Sequence, residues 1–188
     1  MKKFLHAIGL GLFLLAGVGL ALSDYDQERE EEDHDYAEQG RPDFTPAEHP
    51  GYLQECGACH LAYPPGLLPA RSWARIMGGL GDHFGDNAEL SAAEAGPIGT
   101  YLQAQAADRG ARGRARSVAA SLGPEQAPLR IAATPWFRRQ HHEIPASMVA
   151  GNPQVGGFGN CQACHRGAED GSFDEHRVSI PGYPYWDD

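Results

Sequence analysis

Four cysteines and two histidines are spaced in a way that points to one chemistry. They fall as Cys56-Gly57-Ala58-Cys59-His60 and Cys161-Gln162-Ala163-Cys164-His165. Each run is C-x-x-C-H, the attachment pattern of a c-type haem. The spacing has a physical reason. Residues at i and i+3 lie on one side of a helical turn, so two thiols placed that way reach the two vinyl groups on one edge of a porphyrin and close two thioethers. The histidine at i+4 then stands over the iron as its proximal ligand. Cys56, Cys59, Cys161 and Cys164 are thereby assigned to covalent attachment, and His60 and His165 to the irons.

Other uses of four cysteines account for less. A zinc site built from two C-x-x-C pairs keeps its halves about 15–20 residues apart, whereas over a hundred residues separate Cys59 from Cys161. Zinc would also leave both following histidines unexplained. Two disulfides are the usual reading in an exported chain, but they ignore the histidines too. A thioredoxin-like dithiol sits in a βαβ pattern, and neither pair does.

Each iron has a second axial position, and its occupant sets the function. Methionine raises the potential of a cytochrome c, a second imidazole leaves it lower, and an empty position admits a small ligand. His49, His83, His141, His142 and His176 compete for the two positions with Met77 and Met148, while His34 lies in an acidic tail. For the first iron the reading favours His83, in the flexible Gly81-Asp82-His83-Phe84-Gly85 turn. Met77 shares its spacing with Trp73, Ile76 and Leu80 and reads as core. For the second iron, Phe137, His141 and Ile144 fall at i, i+4 and i+7, one apolar stripe. His142 shares a face with Arg138. His141 is therefore preferred, with His142 and His176 as alternatives and Met148 still open. Arg71, Arg166 and Arg177 lie near haem segments, where they could pair with propionates or be ordinary surface residues.

These residues need elements to hold them. Residues 1–21 carry Lys2 and Lys3, then an apolar run of 15 residues from Ile8 to Leu22 and a small-x-small Gly19-Leu20-Ala21. This pattern is that of a cleaved signal peptide, and the run falls short of the roughly 20 residues that span a bilayer. The expected compartment is the periplasm. Residues 22–42 form an acidic tail, with nine carboxylates against Arg29 between Asp24 and Glu38, a block that repels itself. Loss of Lys2 and Lys3 takes the net charge from −10 to −12, which argues against nucleic acid as a partner.

A mainly α fold is expected, with two small cytochrome c-like haem domains at 43–107 and 131–188 and a connector at 108–130. Gly (24) and Pro (14) are frequent, so loops are long and each unit is short of apolar residues for a core of its own. The first unit should hold helices over Tyr52–His60 and Ser72–Leu80. A third should open at the Ser91–Glu94 capping box and bend at Pro97. A short helix is expected over Ser117–Leu122. In the second unit, Thr134-Pro135 starts a helix reaching about Glu143, and Cys161–His165 forms the second haem helix.

The run Glu55 to Pro69 resembles the dihaem cytochromes c of the DHC family of purple bacteria and related proteobacteria. So do Ser72-Trp73, Asp82 to Ala88, Phe137 to Pro145 and Phe173 to Pro181. The resemblance covers most of residues 45–182 and omits the acidic tail. It implies a helical protein with one haem in each of two domains and both irons bis-histidine ligated and low spin. His60 and His83 would hold the first iron, His165 and His141 the second. It further implies electron exchange with redox partner proteins, among them a small soluble haem protein and a membrane cytochrome b. An electron carrier, with no small-molecule substrate, is thus expected. The alternative is a dihaem enzyme of the peroxidase kind, or a haem sensor, with one open iron.

Overall fold

Helices form where the chain supplies both a cap and an apolar face. A computed structural model describes residues 42–184 and 186; residues 1–21, read above as a signal peptide, and all but Pro42 of the acidic tail lie outside the described residues. The described chain belongs to one compact unit, Pro42–Asp188. Six short α-helices run through it in the order α1 Pro50–Cys56, α2 Ala70–Met77, α3 Ala92–Ala104, α4 Gly113–Ala120, α5 Pro135–Gln140 and α6 Ala146–Val149, with a 3₁₀ turn before α2, α3 and α5 and three more after α6. There is no strand among the described residues, only isolated bridges at His83–Asp86 and His165–Val178. None of the described helices is long and apolar enough to cross a membrane.

Local signals set most boundaries. Helix α1 starts two residues earlier than expected and ends at Cys56. Pro50 occupies its first position, where a missing N–H costs nothing, and His49 Nδ1 accepts from Tyr52 N at 3.2 Å. Cys59 and His60 therefore leave the helix in the turn that follows. The expected Ser72–Leu80 helix runs instead over Ala70–Met77, and a 3₁₀ turn carries Leu80–Asp82. Helix α3 has both halves of its capping box, with Ser91 N and Oγ donating to Glu94 Oε2 at 2.9 and 2.7 Å. It continues through Pro97, which forgoes one backbone hydrogen bond. Helix α4 begins four residues before the expected Ser117. Thr134 caps α5 by accepting from Phe137 N at 3.1 Å. That helix stops at Gln140 rather than Glu143: His141 leaves the helical region at φ −125°, ψ 19°, its N–H still donating to the Phe137 carbonyl.

Two apolar clusters hold the helices. The first gathers Tyr52, Leu68, Trp73, Ile98 and Leu102, with Trp73 Nε1 satisfied by the Pro65 carbonyl at 2.8 Å. The second joins Phe44, Leu67, Val118, Trp136 and Phe137, so the stretch 43–107 contributes side chains to both. The chain start is tied to its far end. Phe44 N donates to Gly171 O at 3.1 Å, and Asp43 accepts from Phe173 N at 2.5 Å while pairing with Arg114 at 2.7 Å. Gly171 has φ +74°, and a Cβ there would meet the Phe44 carbonyl at 2.0 Å. Only glycine permits this crossing.

Candidate haem centres

Each C-x-x-C-H run borders an apolar cavity. The first holds about 370 Å³ and is walled by Tyr52, Leu68, Trp73, Met77 and Leu102, with Cys56, His60 and His83 facing it. The second holds about 100 Å³ and is walled by Trp136, Phe137, Val149, Val155 and Ile180, with Cys161, Cys164, His141 and His165 facing it. The first falls within the ~300–1,000 Å³ typical of a small-molecule pocket, and the second is tighter. In a close-packed fold, an apolar space faced by paired cysteines and histidines fits a group held by those side chains.

The histidines pair across these spaces. His60 and His83 have ring centroids 6.2 Å apart with planes 22° from parallel. His141 and His165 are also 6.2 Å apart, with planes at 76°. An imidazole nitrogen binds a metal at about 2.0 Å, so a single ion between two such rings puts their centres roughly 6 Å apart. Both pairs have the spacing of two axial ligands on one metal.

Local contacts hold the rings. His60 Nδ1 lies 2.7 Å from the Leu61 carbonyl and His141 Nδ1 lies 3.0 Å from the Phe137 carbonyl. Such a contact fixes the tautomer and presents Nε2 to a metal. Tyr63 stacks on His60 at 5.0 Å, and Phe137 stacks on His141 at 3.9 Å. The His83 turn is closed by reciprocal backbone bonds with Asp86 and by Asp82 Oδ1 accepting from Gly85 N at 3.1 Å. Phe84 in this turn has φ +61°, a strained position for a residue with a side chain. Arg130 covers its ring at 4.0 Å, and this cation–π contact holds the strained turn in place.

Burial favours the neutral, ligating form at His165 and His83. Burial, then the neighbouring His141, pushes His165 down to about 4. Burial, then His60, lowers His83. His165 Nδ1 is buried with no protein hydrogen-bond partner, the mark of a site completed by something other than protein. Burial also pushes the Cys56 and Cys161 thiols up to about 11. A pocket that disfavours thiolate suits a neutral thioether.

Apart from Met77, the other candidate ligands line neither cavity. His142 is exposed, with Nδ1 against the Arg139 carbonyl and Nε2 3.5 Å from Glu143. His176 is exposed in the Glu175–Arg177 turn, and His49 caps α1. Met77 lies against the first apolar cluster and Met148 is half-buried in α6. Cys59 is exposed, on the solvent side of its turn. Instead of pointing toward a haem, Arg71 donates to the Gly123 and Gln126 carbonyls and lies 3.7 Å from Asp108. Arg114 and Arg130 instead line the two cavities. Sequence reasoning passed over both, since neither stands near a motif.

A family model described as dihaem cytochrome c matches residues 52–173. The chain belongs to the dihaem cytochrome c family. The cytochrome is similar to the diheme cytochrome c from Rhodobacter sphaeroides, at 44% identity over 69% of this chain and 99% of that one, with a TM-score of 0.62. It is also similar to a diheme cytochrome c from Shewanella baltica OS155, at 42% identity over 73% and 97%, with a TM-score of 0.60. No curated protein matches the chain. The cytochrome thus carries two c-type haems, serves electron transfer and is helical.

Proposed function

We propose that the protein is a periplasmic electron carrier whose two irons are both bis-histidine ligated, the first by His60 and His83 and the second by His165 and His141. The equal 6.2 Å spacing of the two histidine pairs carries this reading. The haems supply reversible one-electron chemistry when bound. The chain's own part is to hold two neutral imidazoles at fixed separation, exclude water with apolar walls, and leave no axial position for a substrate. The signal-peptide pattern of residues 1–21 supports export. The acidic, non-basic composition suits docking to redox proteins, a small soluble haem protein and a membrane cytochrome b among them, rather than to nucleic acid.

A potentiometric titration tests the carrier reading. Two one-electron waves are expected, both below the range of Met/His cytochromes c, with no turnover of hydrogen peroxide. A wave within the Met/His range would assign Met77 or Met148 to an iron. Peroxide turnover would replace the carrier with an enzyme.

A further inference from the structure

The two centres are not independent, and one short segment touches both. Phe158, Ile131 and Cys161 line the first cavity and the second. The Phe158 ring packs edge-on against His141 at 5.7 Å. The Gly159 carbonyl accepts a 2.5 Å hydrogen bond from the hydroxyl of Tyr63, 96 residues earlier in the chain. Two residues after Gly159 comes Cys161, the first attachment cysteine of the second haem. Tyr63 in turn stacks on His60, with ring planes 26° apart, and packs against both apolar clusters. Its own carbonyl is held by the Tyr52 hydroxyl at 2.9 Å. The residue is anchored at its backbone, ring and hydroxyl.

We propose that Tyr63 is a positioning residue for electron exchange between the two haems, linking the His60 ring by stacking and the Cys161 attachment by its hydrogen bond to Gly159. The continuous route runs from the first iron's proximal imidazole through the Tyr63 ring, across one hydrogen bond and along two peptide units to the thioether sulfur. A single electron leaves one ferrous iron and reduces the other, ferric one. No bond forms or breaks, and the tyrosine keeps its proton. Burial pushes the Tyr63 hydroxyl up to about 12, which agrees with a phenol that stays protonated as donor. The hydrogen bond also ties the segment around His60 to the one around Cys161.

The test uses the mature dihaem protein. Tyr63→Phe keeps the stack on His60 and removes only the hydroxyl, and Tyr101→Phe removes a hydroxyl from the same core off the route. NMR exchange spectroscopy on half-reduced samples reads the intramolecular rate, and amide hydrogen exchange reads the Gly159–Cys161 segment. Tyr63→Phe should retain both haems in their parent spin state, slow the exchange several-fold, and speed amide exchange at Gly159–Cys161; Tyr101→Phe should do none of these. An unchanged rate in Tyr63→Phe, or an equal drop in Tyr101→Phe, would overturn the proposal. The inference rests on the ligation reading above. A high-spin iron in the parent sinks that reading, whereas an unchanged rate between two low-spin haems sinks this one alone.

Discussion

Replacing Cys161 and Cys164 together with alanine should yield a chain with one covalent haem and an unfolded second half. The walls of the second cavity, among them Trp136, Phe137, Val149, Val155 and Ile180, face about 100 Å³ of space rather than one another. Residual cavity costs roughly 24 cal/mol per Å³, so holding this space open costs about 2 kcal/mol. That is a sizeable share of the ~5–15 kcal/mol that stabilises a whole domain. Without haem the walls also lose the group they pack against, and the short helices α5 and α6, with six and four residues, cannot persist without tertiary packing. Mass spectrometry should show one haem fewer. Hydrogen exchange should lose protection across 135–180 but keep it in the cluster around Trp73, Ile98 and Leu102, which packs α2 against α3. Retention of protection in the second half would contradict a core completed by haem.

Replacing His141 with glycine should convert one of the two haems to a high-spin, carbon monoxide-binding form, while His142→Gly leaves both unchanged. The two residues are adjacent but do opposite things. The His141 ring stacks on Phe137 and stands 6.2 Å from His165, whereas His142 is exposed beside Glu143. Under the proposed ligation, removing the His141 imidazole would leave the second iron with an open position, and no described side chain stands ready to replace it: Met148 and His176 do not line the cavity. The expected change is large, about half of the total haem absorbance shifting to the high-spin form, and absorption spectra with and without carbon monoxide read it. Binding of carbon monoxide by the His142→Gly protein instead would exchange the two assignments.

The chemistry was far more legible in the sequence than its three-dimensional setting. C-x-x-C-H announces its ligands because the reaction itself demands that spacing. The stripe Phe137, His141, Ile144 set His141 apart from its neighbour, and the structure places all three residues at the second cavity although α5 ends at Gln140, since His141 N still bonds the Phe137 carbonyl. The Ser91 and Thr134 caps were equally readable, since a cap is a local hydrogen bond. The haem helices were overdrawn. Cys161–Ala163 forms a single 3₁₀ turn, in which the Cys161 carbonyl accepts from both Cys164 N and His165 N, and the glycines before it supply no helix to extend. What left no local trace was pairing between distant segments: Asp43 with Arg114 and Phe173, Arg71 with the 123–126 loop, Arg130 over Phe84, and Tyr63 with Gly159. Each joins residues far apart in the chain through one side chain, and no periodicity records such a contact.

Electron paramagnetic resonance of the fully oxidised protein, with carbon monoxide added to a reduced sample, tests bis-histidine ligation of both irons most directly. The His60 and His83 planes lie 22° from parallel, and those of His141 and His165 lie 76° apart. Near-parallel imidazoles give an ordinary rhombic low-spin signal, and near-perpendicular ones a strongly anisotropic signal with a larger maximum g value. The account therefore expects two distinct low-spin signals of equal weight, no high-spin signal and no spectral response to carbon monoxide. A high-spin signal, or a carbon monoxide adduct on either haem, would contradict it.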